Sequence, residues 1–232
     1  PTSDNITITF KGTSTPIVKV SDGMQNVTVT GAKVNVAPFL WKASTPNDLV
    51  KDFTIPSGKT WTFNDGLSME SGVKLTKNGT LKYGKSFDTN VATADELKAA
   101  VALGADVIKL ADATYDLNST VLEINKSMTI QGADPAKCIM EGAMAIKPAS
   151  NTEKTIVAIN GVKFDYTPSA AVANTKCTPV IEVHNGNVDL QVNNCLVDNN
   201  TAGTGGRTAA DFKYLYNVFQ MDSLASGSMI IE

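Results

Sequence analysis

Few side chains in this sequence can do chemistry at neutral pH, and their spacing narrows what that chemistry is. His184 is the only histidine and Arg207 the only arginine. A single imidazole excludes a His-rich zinc site and any triad that needs a second one. Cys138, Cys177 and Cys195 have no CxxC or metal-ligand spacing, and an odd number cannot all pair internally, so each reads as a small apolar filler. GTGG at 203–206 lacks the Lys-Ser/Thr pair and the strand-to-helix setting of a phosphate loop, and no GxGxxG follows a strand. Carboxylates and rings remain. Glu182, Asp165 and Asp198 lie in or after strand-like segments, whereas Lys147 and Lys163 look isolated. Trp61 alternates with Phe63 in KTWTF and reads as core. Trp41, in APFLWKAS, sits beside a proline and a polar loop and is the better exposed platform for a pyranose face. Tyr214, Tyr216 and Phe219 form a second aromatic group in YLYNVF.

These residues belong to a chain of 232, long enough for one large domain or two ordinary ones. At 42% hydrophobic and 19% charged it is globular in composition. A net charge of −3 with no basic run offers no reason to expect nucleic acid or an anionic membrane as partner. No apolar segment reaches the roughly 20 residues of a membrane span, so no transmembrane segment is expected. The sequence opens at PTSDN, without Met or a signal-peptide core, and is read as processed or trimmed.

The elements that must hold the chemistry are mainly β. Segments such as NITITF (5–10), NVTVTGAKVNV (26–36), KTWTF (59–63), SMTIQ (127–131), KTIVAI (154–159), PVIEV (179–183), VDLQV (188–192) and SMIIE (228–232) are rich in Val, Ile and Thr. They alternate at period two between Gly, Asn, Asp and Pro clusters. TADELKAAVALG (93–104) is the exception, with Thr93 and Glu96 as a capping box, Leu97, Ala100 and Val101 on one face and Gly104 as terminator. This helix is expected to act as a lid. A boundary near 88–92 separates residues 1–90, a small β-rich domain, from 91–232. In the first part the ND-G and KN-G signals suggest two hairpins and hence a small sandwich; the alternative is earlier coils of the repeat found downstream.

That repeat is visible when TIVAINGVKFDYT (155–167) is laid on VDLQVNNCLVDNN (188–200). Thr155, Val157 and Ile159 match Val188, Leu190 and Val192, and Val162 and Phe164 match Cys195 and Val197. One parity is apolar throughout, while Asp189 and Gln191 face the other way. Asn160-Gly161 and Asn193-Asn194 mark a corner that needs left-handed backbone. Met128 and Ile130 fit the same frame, and SMIIE begins another copy. From Ile130 to Ile159 to Val192 to Ile231 the steps are 29, 33 and 39 residues, which suits stacked coils differing in one loop.

With TADELKAAVALGADVIKLADATYDL followed by INKSMTIQGA, the chain from about 93 to 232 resembles the pectate-lyase-like right-handed parallel β-helices. The likeness is to the secreted polysaccharide-lyase and Bacteroidetes surface-protein branch. It rests on a helix, an "x-G-T-Y-x-L" turn and a "K-S-V-T-I-x-G" strand, and on no catalytic motif. It implies a parallel β-helix with an N-terminal capping helix and an exported protein, secreted or on the cell surface, whose signal or lipoprotein segment has been removed. It also implies that substrate grooves run along the outer surface of the first-strand sheet, beside the longest loop.

By that analogy PVIEV is a first strand, with Ile181 and Val183 inward and Glu182 and His184 outward. The long loop 198–212 brings Arg207, so the expected substrate-binding groove is Glu182, His184 and Arg207, with Trp41 as a separate platform. No catalytic residue of the family carries over to a position here. A lyase needs a base for the proton alpha to a uronate carboxylate and a cation to neutralise that carboxylate. No clustered Asp pair on one strand face stands out for calcium, the one cofactor a lyase would bring. A hydrolase needs two or three spaced carboxylates, for which Glu182 and Asp198 are the candidates. The expectation is therefore a non-catalytic exported protein that binds or displays carbohydrate. A polysaccharide lyase or glycoside hydrolase acting on uronate-containing polysaccharide is the alternative, and an adhesin-like stalk the third reading.

Overall fold

A computed structural model describes residues 5–9, 26–30, 35–36, 39–40, 47–49, 52–63, 66–117, 120–165, 180–184, 186–198, 219–221 and 225–232. It divides into two compact units, one of residues 1–91 and 103–108, the other of 92–102 and 109–232.

In the first unit the strands are β1 (Asn5–Thr9), β2 (Asn26–Thr30), β3 (Asn35–Val36), β4 (Phe39–Leu40), β5 (Asn47–Leu49), β6 (Phe53–Ile55), β7 (Thr60–Phe63), β8 (Leu67–Met69), β9 (Leu75–Lys77), β10 (Thr80–Tyr83) and β11 (Phe87–Val91). The expected hairpins are not formed. β7 pairs with β10, β8 with both β5 and β11, and β6 with β9, all in parallel; only β3 and β4 pair antiparallel among the described residues. A sandwich of hairpins is therefore not what these strands build. The reason is the corner chemistry: Gly66, with φ of 90°, turns the chain between β7 and β8 without reversing it. At Gly79 a Cβ would lie 2.3 Å from the Pro56 carbonyl oxygen, so only glycine lets this corner stack on the one before it. From β5 to β11 every third strand returns to the same sheet. The inward row holds Trp61, 1% exposed, edge-on to Phe53 at 4.8 Å and stacked with Phe63 at 6.2 Å, as its alternation predicts.

The helix α1 (Ala94–Leu103) has the predicted cap: the Glu96 amide donates to Thr93 Oγ1 (3.2 Å), and Glu96 Oε2 accepts from the Ala92 amide (2.7 Å). Leu97, Ala100 and Val101 are buried, and Gly104 ends the helix at φ 78°. No helix among the described residues is long and apolar enough to cross a membrane.

After α1 come β12 (Val107–Leu110), β13 (Thr114–Asp116), β14 (Leu122–Ile124), β15 (Met128–Gly132), β16 (Ile139–Glu141), β17 (Met144–Ile146), β18 (Lys154–Asn160), β19 (Lys163–Asp165), β20 (Ile181–Val183), β21 (Gly186–Asn193), β22 (Leu196–Asp198), β23 (Phe219–Met221) and β24 (Ala225–Ile231). From β13 onward the chain visits three parallel sheets in rotation: β13-β16-β19-β22, β14-β17-β20-β23 and β15-β18-β21-β24. The arrangement is compatible with a parallel β-helix. The register read from sequence is the one observed: Val157 and Ile159 pair with Leu190 and Val192, Met128 and Ile130 with Val157 and Ile159, and Ile231 with Val192. Inward rows form the core, with Met140 and Phe164 at 1% exposed and Ile130, Ile159 and Leu190 fully buried. Tyr115 belongs to the same row, donating its hydroxyl to the Ala111 carbonyl (3.0 Å); burial pushes its phenol up to about 12.

The corner residues behave as their types require. Gly161 has φ 64° and Asn194, the one non-glycine at positive φ among the described residues, has φ 49°. Across the corner Asn193 Nδ2 donates to Asn160 Oδ1 (3.1 Å). Cys195 departs from its expected role as an inward filler equivalent to Val162. It is half-buried while Val162 is fully buried, and its thiol reaches the Asn193 and Ile159 carbonyls at 3.3 and 3.5 Å.

On the outer face of the third sheet Asp189 ties three strands. Lys154 Nζ of β18 lies 2.5 Å from Asp189 Oδ2, and the Ser228 amide and hydroxyl of β24 donate to Oδ1 at 3.2 and 2.9 Å. The Lys154 ammonium, then the Ser228 hydrogen bonds, hold this carboxyl below its ordinary value of 3.8. A carboxyl with a lower pKa folded than unfolded adds stability above the unfolded value and loses it as pH falls through the folded one. Acidification below the ordinary aspartate value is therefore expected to loosen β24 first. Hydrogen exchange, corrected for intrinsic rates, should show the Ser228 amide losing protection before the Leu190 amide, and Asp189→Asn should remove that acid step; equal loss along both strands refutes it.

Candidate functional site

Three four-residue segments stack in the sheet β14-β17-β20-β23: LEIN (122–125), MAIK (144–147) and IEVH (181–184). Leu122, Met144 and Ile181 pair in register, as do Ile124, Ile146 and Val183; all six point into the core. Alternation then turns the residues between and after them to the outer face. The first outward row is Glu123, Ala145 and Glu182, with Gln220 of β23 next in register. In the second, Lys147 and His184 follow the strands at equivalent positions: the Lys147 amide donates to the Ile124 carbonyl (2.7 Å) and the His184 amide to the Ile146 carbonyl (2.9 Å). Neighbouring strands lie about 4.8 Å apart, so these outward side chains occupy one patch.

Two polar pairs result. His184 Nε2 lies 3.4 Å from Glu182 Oε2, with the side chains 34% and 31% exposed. Lys147 Nζ contacts Glu123 Oε1, and both remain largely exposed. Between the two glutamates Ala145 is only 3% exposed although it faces outward, so β17 is buried on both faces. The two glutamates flank this covered alanine, and with the ammonium and the imidazole they make a polar patch on the sheet face.

Of the four residues expected to bind substrate, the structure brings Glu182 and His184 together; Arg207 and Trp41 lie outside the described residues, as do Tyr214, Tyr216 and Cys177. Glu123 and Lys147 were missed as site residues. Lys147 is not isolated, since Glu123 holds it from the neighbouring strand, and Lys163 is not either, its Nζ being 3.4 Å from Asp165 Oδ2. The signal was present: LEIN, MAIK and IEVH share one apolar-x-apolar-polar frame, but Ala145 breaks the charge pattern in the middle copy.

Among the acidic residues, Asp165 and Asp198 pair in register at the equivalent position that the repeat assigns them, and Asp116 and Glu141 hold the same register on β13 and β16. Among the described residues no three His, Cys, Asp or Glu side chains converge to hold a metal ion. Glu182 and Asp198, the carboxylates considered for hydrolysis, belong to different sheets. Comparison with protein-family models, with curated proteins and with solved structures gives no match for this chain.

Proposed function

We propose that this chain is an exported, pectate-lyase-like right-handed parallel β-helix protein, secreted or held at the cell surface, that binds or displays carbohydrate without acting on it. The observation that carries the reading is the outward patch of Glu123, Lys147, Glu182 and His184, polar side chains set by strand register on one sheet face. Carboxylates accept hydrogen bonds from adjacent sugar hydroxyls, an ammonium and an imidazole add donors, and backbone register holds them without help from a mobile loop. Right-handedness follows from the general bias of parallel crossover connections. A lyase would need a free base next to a cation that neutralises a uronate, and here Lys147 is already engaged by Glu123. The glycan reading is tested by titrating polysaccharides against the chain and its Glu182→Ala and His184→Ala variants. Glu182→Ala is expected to weaken binding about tenfold, the loss of one hydrogen bond involving a charged group, and His184→Ala about fivefold, the loss of a neutral one, with the circular-dichroism melt unchanged. Binding indifferent to both variants would place the carbohydrate elsewhere, and release of an unsaturated uronate product would make the protein a lyase instead.

A further inference from the structure

We infer that the patch on β14-β17-β20 selects uncharged, hydroxyl-donating glycans and disfavours uronates. The inference rests on the glycan-binding reading and adds the ligand's charge class to it. Among the described residues of this face the fixed charges are two carboxylates, Glu123 and Glu182, against one ammonium, Lys147. That ammonium is spoken for: Glu123, one strand away, already contacts it. Glu182 is different. Its neighbour is the His184 imidazole at 3.4 Å, and its side chain stays 31% exposed, so an acceptor-only group faces any ligand that meets this patch. A sugar hydroxyl arriving there donates to the carboxylate. A uronate carboxylate arriving there has no proton to donate and meets a like charge, and to reach Lys147 it must displace Glu123.

The size of the effect follows from Coulomb's law. Two like charges about 5 Å apart in water disfavour binding roughly fourfold per uronate in contact, more where the bound ligand excludes water, and less as salt screens them.

The test uses one backbone in two charge states, fully methyl-esterified and de-esterified polygalacturonate, beside an array of neutral and uronate-containing polysaccharides. Titrations are run on the full chain at low salt and about pH 8, where imidazoles are ordinarily uncharged. The neutral members should bind more tightly than the uronate-containing ones, with the esterified form about fourfold tighter or more than the de-esterified one. Glu182→Gln should narrow that gap, as should added salt. De-esterified polymer binding as tightly as the ester overturns the charge selection and leaves the glycan reading standing, as does a gap that Glu182→Gln does not change. Absence of binding to every glycan on the array overturns the glycan reading itself.

Discussion

Gly161→Ala should lower the folding stability by about 3 kcal/mol or more. Two effects add at this corner. At φ 64° any Cβ costs about 1–2 kcal/mol from its clash with the residue's own backbone. In addition, a Cβ on Gly161 would stand 2.3 Å from the Gly132 carbonyl oxygen, and the neighbour cannot swing away because it is backbone. The crowding is mutual, since a Cβ on Gly132 would lie 2.3 Å from the Gly161 carbonyl oxygen and 2.9 Å from the Cys138 sulfur. The corners at Gly132 and Gly161 thus stack at a distance only glycine permits, and the parallel pairing of β15 with β18 depends on it. Asn194→Ala at φ 49°, an exposed position in the next corner, isolates the backbone effect and should cost only about 1 kcal/mol. Urea unfolding followed by circular dichroism compares the two. Equal costs would mean that the close approach at Gly132 contributes nothing.

Phe164→Ala should cost about 3–5 kcal/mol, the range for emptying a buried aromatic site. Phe164 is 1% exposed, pairs in register with Met140 and Val197, and meets Phe219 edge-to-face at 6.0 Å. Its neighbours are held by the strand ladders on both sides, so collapse into the void is restricted and the cavity contribution is retained. Val197→Ala, one strand further along the same row, removes a side chain already 44% exposed and should cost about 1 kcal/mol or less. The contrast checks the inward assignment of β19 without reference to any ligand. Similar destabilisation by both variants would contradict the burial gradient along this row.

The same rows show what was legible beforehand. The period-two alternation of TIVAI and VDLQV names its inward residues, and Asn and Gly between strands announce a corner, because both facts are local to the chain. The capping box at Thr93 and Glu96 is local too, and the helix begins where it says. ND-G and KN-G were misleading because the same residue types serve hairpin turns and non-reversing corners. What separates them is whether the next strand finds its partner in the strand just before it or in one further along the chain. That decision lies some 20 residues distant, where β8 meets β11 by pairing Leu67 with Phe87.

The candidate site divides along the same line. Sequence by itself determined the outward direction of Glu182 and His184, since two steps along a strand return a side chain to the same face. Only the tertiary structure set Glu123 and Lys147 beside them, across separations of 59 and 37 residues, because that proximity comes from the stacking register of parallel strands and from loop lengths that alternation does not encode. The match of Asp165 with Asp198 follows from the sequence repeat, whereas Asp116 and Glu141 join that register only through the stacking of β13 and β16.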